Sequence, residues 1–406
     1  MENKNRIIPV LLGGDLNAYS VARMFFEARG VNSHVFARAD LAISGLSRFT
    51  EMHVVKDLDD PNVAVSALID FRKNQGDGDY LLVPCADWYM QMLEYARDKL
   101  RGYFYFNIPD FEVWRAVSDK WSFRTLLSKL SINTPRSALV GSGKYASAFA
   151  GVSPPYVLKA SDSTEYWKFG FPGMKKVYFP ESEHEVREIC DKIEGSGYGG
   201  KIILEEEIGT REKRQSLVLT TYSSREGRVV RAVLGRVLLE EHGDTSYGNY
   251  SAIVTEPLTR ICEELIAMLD RIGYKGIANF DIIEYEGKSW CLELNPRQGR
   301  SCDYLRGAGV NLAGLLISDM RGEKIEKAIG SDEIFWRCAP LGTVKRYAKD
   351  RELLRKAERL RNIAKEYTPF SSGRDKFLLR RAYLFLHSVR QRISLLKSEG
   401  RGENAT

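Results

Sequence analysis

Apolar and polar positions divide the start of the chain into repeating units. Residues 7–12 (Ile-Ile-Pro-Val-Leu-Leu) form an unbroken apolar run, which predicts a short buried strand, and Gly13-Gly14-Asp15 ends it. A helical pattern follows over about 17–29, closed by Gly30, before a second strand around 33–36. A helix near 62–73, a strand at 80–84 and a helix near 87–100 continue the alternation, which is the opening of a parallel α/β unit. In such sheets ligands gather at the carboxyl ends of strands. Gly13, Gly14, Asp15 and Asp87 are therefore candidate substrate contacts, with plain turn chemistry as the alternative. The glycine pair does not fit Gly-x-Gly-x-x-Gly, so a dinucleotide site is rejected.

In the middle of the chain Ser118 is a candidate N-cap for a helix running to about 130. This puts Lys120 in the first helical turn, where a cation opposes the helix dipole but assists a phosphate. Residues 154–160 predict a strand with Lys159 near its end, followed by a loop over 161–170 that is rich in hydroxyls and poor in glycine. After a helix near 182–195, a strand from 201 ends in Glu205-Glu206-Glu207-Ile208. Three successive carboxylates repel one another and need cations, water or donors around them. Strands near 215–222 and 228–239 come next, the second with Arg231 and Arg236 on opposite faces because their offset is odd.

The most informative pattern lies at 279–300. Two runs rich in β-branched and aromatic residues flank Glu286-Gly287-Lys288, which reads as a hairpin with a three-residue loop. That register sets Asp281 opposite Glu293, and alternation puts Asn295 on the same face. Two carboxylates so close repel unless a cation lies between them, and two carboxylates with an amide oxygen suit Mg²⁺. A solvent-facing strand carrying ordinary acids is the other reading. The strand then ends in Asn295-Pro296-Arg297-Gln298-Gly299-Arg300, which brings two guanidiniums to where a phosphoryl group or oxyanion would need them.

Size and charge add limits. At 406 residues the chain suggests two or three domains. The net charge of +6 is uneven: from 345 to 403 there are 17 Lys or Arg against 7 Asp or Glu, leaving about −4 for the rest. Six scattered cysteines form no Cys-x-x-Cys and no metal spacing with the five histidines, and the first apolar run is too short for a signal segment or a span. Reduced thiols and a cytoplasmic protein are expected.

The acid, the hairpin and the Glu-x-Asn-Pro-Arg-x-Gly tail together resemble the metal-binding end of the ATP-grasp carboxylate–amine ligases, over about residues 1–320. The resemblance implies an α/β ATP-grasp fold with an N-terminal Rossmann-like domain (1–117), an ATP-grasp domain (118–330) and a basic helical C-terminal extension (331–406). It implies ATP and Mg²⁺ as cofactors, with Lys120 and Lys159 on the nucleotide phosphates, Glu205, Glu206, Glu207 and Ile208 at the adenine and ribose, and Asp281, Glu293 and Asn295 on the metal. Arg297 and Arg300 would then stabilise an acyl phosphate or oxyanion. The loop at 161–170 departs from the glycine-rich loop of that family.

Gly13-Gly14-Asp15, Ser163-Thr164-Glu165-Tyr166, Tyr247-Gly248-Asn249-Tyr250-Ser251-Ala252 and Arg297-Gln298-Gly299-Arg300-Ser301 are similar to the D-aspartate ligase group. That likeness implies that D-aspartate is joined through its β-carboxylate to the lysine amine of a peptidoglycan precursor. Asn279, two residues before the metal aspartate, argues against a D-alanine–D-alanine ligase. An amide or dipeptide ligase of secondary metabolism and a non-catalytic nucleotide-binding protein are the alternatives, and nucleic acid is not among the expected partners. Beyond 369–373 a basic helix carries Phe377, Leu378, Leu379, Tyr383, Leu384, Phe385, Val389, Ile393, Leu395 and Leu396 among arginines. Such a helix can make peripheral contact with an anionic membrane or cap a domain with its basic side in water.

Overall fold

The computed structural model describes residues 6–402 apart from 142–143, 211–212, 242–247, 371, 373 and 376–377, with only the backbone over 394–402. Tyr247 and Phe377, and the side chains of Leu395 and Leu396, lie outside the described residues.

The predicted α/β opening is a four-stranded parallel sheet in the order Thr50–Val54, Ser33–Ala37, Ile7–Leu12, Asp79–Pro84. Every residue of Ile7–Leu12 is buried, because helices cover both faces of a parallel sheet. The helix Leu16–Arg29 starts at Asp15, whose carboxylate caps the amides of Asn17 and Ala18, and stops at Gly30 in the left-handed conformation. The helix expected near 87–100 is broken at Ala96 into Asp87–Tyr95 and Arg97–Leu100.

Two further sheets complete the molecule. A three-stranded antiparallel sheet has Ile202–Glu206 between Ser137–Val140 and Tyr156–Ala160, and the helix Glu183–Gly195 covers it through Val186, Cys190 and Ile193. The large sheet runs Lys288–Asn295, Gly276–Tyr285, Gln215–Ser223, Val229–Glu241, Asn249–Glu256, Phe335–Arg337, Glu366–Tyr367. One face packs Phe280, Leu219 and Leu234 against the helices Lys120–Lys129 and Arg260–Ile272. The other packs Val218, Tyr222 and Val233 against Leu16–Arg29 and Leu312–Met320, so the N-terminal unit and the large sheet share a core. Truncating a side chain such as fully buried Phe280 to alanine would cost about 3–5 kcal/mol.

The region after 330 is less purely helical than expected. It adds the strands Phe335–Arg337 and Glu366–Tyr367 to the edge of the large sheet before the helix Leu378–Gly402. No described helix is long and apolar enough to cross a membrane. All six cysteines are free thiols and buried.

Candidate active site

Asp281 does pair with Glu293, but by a different route from the expected one. Tyr285 pairs with Lys288, so the loop is two residues, Glu286 and Gly287, both with positive φ as a tight hairpin turn requires. The additional residue is instead Leu292, an irregularity between the pairs Ile282–Cys291 and Asp281–Glu293. An offset of one residue, misplaced from the strand to the loop, left the predicted pair unchanged. It also keeps Ile282 and Cys291 in the core while both carboxylates face the opposite side.

On that side Asp281 accepts hydrogen bonds from the Tyr250 hydroxyl at 2.9 Å and from Asn295 Nδ2 at 3.3 Å. Glu293 lies 3.3 Å from Lys120 Nζ, which also donates to Ser163 Oγ at 2.8 Å. Burial followed by the neighbouring Glu293 carboxylate pushes the Asp281 pKa up to about 7. For Glu293, the charges of Lys120, Lys176 and Lys159 overcome the effect of burial and hold it well below the usual carboxylate range. Burial also opposes the charge on Lys120, but Glu293 and Asp87 prevail and raise its pKa. The two neighbouring carboxyls are thus pushed in opposite directions, Asp281 up by burial and by Glu293, and Glu293 down by the lysines around it.

Lys120 opens the helix Lys120–Lys129, in its first turn as expected, but the cap is not Ser118. Ser118 ends the preceding helix Phe111–Ser118, and Asp119 is the N-cap, accepting from the Ser122 amide at 2.8 Å. Asp119 also accepts from Ser161 Oγ at 2.5 Å, which ties the start of this helix to the strand bearing Lys159. Lys159 ion-pairs with Glu205 at 2.9 Å, and Arg124 reaches the same carboxylate at 2.7 Å. Burial, the larger cause, lowers the Lys159 pKa despite Glu205. Glu205 itself is only 2 % exposed, so its side chain is enclosed by these two cations rather than presented to a ligand. The amides of Glu206 and Glu207 donate to Arg136 and Pro155 carbonyls, Glu207 also pairs with Arg214 at 3.0 Å, and Ile208 is buried.

The second group of expected residues meets at the carboxyl ends of the parallel strands. Gly13, Gly14 and Asp15 line a cavity of about 470 Å³ with Cys85, Ala86 and Tyr89. Gly13 has φ +114°, which favours glycine, and its amide donates to the Phe36 carbonyl at 2.9 Å. Arg297 pairs with Asp87 at 2.6 Å, and Arg300 pairs with Glu241 at 3.0 Å. Asp15 is reachable by solvent yet crowded on its flanks; burial raises its pKa, against the Ala18 amide and the charges of Arg300 and Arg297. Two buried side chains missed in the sequence join the tail to the sheet. Asn17 Nδ2 donates to the Cys85 carbonyl at 2.8 Å and the Gln298 carbonyl at 3.1 Å, and Gln298 Nε2 donates to the Pro84 carbonyl at 3.1 Å.

Lys176 and Tyr250 were also missed. Both come from segments outside the strongest motifs, although Tyr250 stands in a run that carried the family likeness. Neither candidate arginine of the long strand reaches the carboxylates. Arg236 lies on the opposite face, paired with Glu256 at 2.8 Å and Glu284 at 3.0 Å. Arg231 shares their face but sits beside Tyr222, at the far end of the strand, bonded to the Glu326 carbonyl.

The fold is that of the ATP-grasp enzymes. It matches N5-carboxyaminoimidazole ribonucleotide synthetase, solved with ADP, at a TM-score of 0.61 and 14 % identity over 89 % of this chain and 87 % of that one. It also matches the biotin carboxylase domain of Hydrogenobacter thermophilus 2-oxoglutarate carboxylase, solved with MgADP and bicarbonate, at 0.60 and 16 % over 78 % and 70 %. No protein-family model matches the chain. At these identities the solved structures place the chain in the ATP-grasp fold class. Within that class the chain is similar to the D-aspartate ligase of Enterococcus faecium (strain Aus0004), 28 % identical over 376 residues and 89 % of each chain.

Proposed function

We propose that this protein uses ATP to join the carboxylate of an amino acid, D-aspartate or a close analogue, to the side-chain amine of a lysine in a peptidoglycan precursor. The observation that carries the reading is the convergence of Asp281, Glu293 and Asn295 on one face with Lys120 beside them and Lys159 approaching from the smaller sheet. The likeness to D-aspartate ligase over nearly the whole chain supports the choice of substrates. The reading keeps the domain limits 1–117, 118–330 and 331–406.

A carboxylate does not acylate an amine in water, because its oxygen is a poor leaving group. Transfer of the terminal phosphoryl group of ATP to a carboxylate oxygen releases ADP and leaves an acyl phosphate. The amine nitrogen then attacks the carbonyl carbon and inorganic phosphate departs. Lys120 and Lys159 hold phosphate oxygens and offset the charge that develops on them. Glu205 and Arg124 keep Lys159 in place. Asp281, Glu293 and the Asn295 amide oxygen fit a hard divalent cation, and Mg²⁺ bound there would supply charge neutralisation at the phosphates. Arg297 and Arg300, whose charges bear on Asp15, orient the carboxylate substrate and stabilise the oxyanion formed on attack.

The test is ADP release from ATP and Mg²⁺ with a panel of D- and L-amino acids, each with and without a lysine-bearing muropeptide. Turnover that requires D-aspartate and the peptide is the expected result. Turnover with another pair would keep the chemistry and change the substrates, while tight ATP binding without any turnover would leave a nucleotide-binding protein.

A further inference from the structure

The helix Leu378–Gly402 has two unlike faces. Its inner face is fastened to the body of the protein: Arg380 is buried, pairs with Asp375 at 2.7 Å and donates to the Ile43 carbonyl at 2.8 Å. That carboxylate also accepts from the Tyr19 hydroxyl at 3.1 Å, in the first turn of the helix Leu16–Arg29. Three turns further on, Gln391 is also buried and donates to Ser251 Oγ at 3.2 Å. The helix is therefore anchored at both ends of the stretch between these residues, and its rotational setting is fixed.

Its outer face carries Leu378, Ala382, Phe385, Leu386, Val389 and Ile393, whose spacing of three or four residues makes one continuous stripe. Leu378 is 82 % exposed, Phe385 69 % and Leu386 55 %, far above what a helix capping its own domain leaves open. Arg381, Arg390 and Arg392 are exposed along this stripe, and no acid occurs between 378 and 393. An apolar stripe bordered by cations alone is the pattern of a helix that lies in a membrane interface. A second copy of the chain is a poorer partner, because antiparallel packing of two such faces would set arginines against arginines.

We infer that this face docks the protein peripherally on an anionic phospholipid surface, the stripe entering the headgroup boundary and the three arginines contacting lipid phosphates. The helix lies on the membrane and does not cross it, in keeping with its short apolar run and its charges. The geometry has a consequence for the site. The inner face reaches Ser251, which donates to Glu241, the partner of Arg300. One helix diameter, about 10 Å, then separates the lipid surface from that network.

The docking stands apart from the choice of ligase substrates and is tested without activity, by co-sedimentation of the full-length protein with vesicles of pure phosphatidylglycerol or pure phosphatidylcholine. Binding to the anionic vesicles, weakened by salt and absent from the zwitterionic ones, is expected. Replacing Arg381, Arg390 and Arg392 together with glutamine should lower partition on the order of a hundredfold, roughly fivefold for each charge. Phe385→Glu with Leu386→Glu should abolish it while leaving the melting temperature in place, since both side chains are exposed. No binding to phosphatidylglycerol, or equal binding to both lipids, would overturn the inference. So would a dimer in light scattering that the Phe385→Glu change dissociates, because the stripe would then belong to a second copy.

Discussion

The two halves of the site are held together in different ways. The acid cluster is local: Asp281, Glu293 and Asn295 lie within fifteen residues of one another on one hairpin, and backbone pairing alone makes them neighbours. The cavity end is assembled across the chain, since Arg297 meets Asp87, and Asn17 meets both Cys85 and Gln298, only when strands from the first hundred residues lie against the tail of the hairpin. The first half brings like charges together and needs cations from elsewhere. The second consists of opposite charges already paired, with solvent at hand. On the proposed reading the first would hold a metal and phosphates, and the second would admit and exchange a carboxylate substrate.

This contrast predicts unequal losses. Glu293→Gln removes the ionised partner of Lys120 and should lower kcat by about 10²–10³-fold while leaving the protein folded, because the change is nearly isosteric. Undiminished turnover would remove the acid cluster from the chemistry. Arg300→Ala removes one charged contact in the more open half. It should raise KM for the carboxylate substrate by roughly ten- to a hundredfold with a smaller effect on KM for ATP. An effect of Arg300→Ala on ATP alone would erase the distinction between the halves.

A third expectation concerns protons at the acid cluster. Asp281 holds its proton up to about pH 7, so Mg²⁺ must displace that proton below this value, and apparent Mg²⁺ affinity should weaken about tenfold for each unit of further acidification. The sign for stability follows. With its pKa raised, Asp281 in the metal-free protein contributes stability at low pH that is lost as pH rises toward 7. Added Mg²⁺ should accordingly raise the melting temperature more at pH 8 than at pH 6. A Mg²⁺ effect independent of pH would place the metal away from Asp281.

The same contrast explains what could be read from the sequence. Strand alternation suffices to put Asp281 opposite Glu293, and the pairing survives a misplaced bulge because only the total number of residues between the partners matters. The opening α/β units were legible because their apolar runs are short and their glycine stops sharp. The N-cap was misassigned by one position because Asp119 and Ser118 are both good caps, and only the preceding helix decides between them. Glu205 stood in the sequence as one of three successive carboxylates expected at the adenine and ribose. It is enclosed because Arg124, 81 residues earlier, points back at it. Lys176, Asn17 and Gln298 gave no local signal, since their partners come from distant segments.

The smallest effect offers the sharpest check on locality. Glu286 and Gly287 form the hairpin turn with φ of 48° and 73°, and Gly287 has nothing within 4 Å of where a Cβ would sit. Gly287→Ala therefore introduces backbone strain without a clash and should cost about 1 kcal/mol of stability. In a protein of this size that is a fall of about 2 °C or less in melting temperature. Because Asp281 and Glu293 lie five and six residues from the turn and pair with each other on a strand that is itself paired on both sides, kcat and both KM values should stay unchanged. If the small strain at the turn were instead to reduce turnover tenfold, the carboxylate pair would depend on the turn for its alignment, and hairpin pairing would not be what fixes the acid cluster.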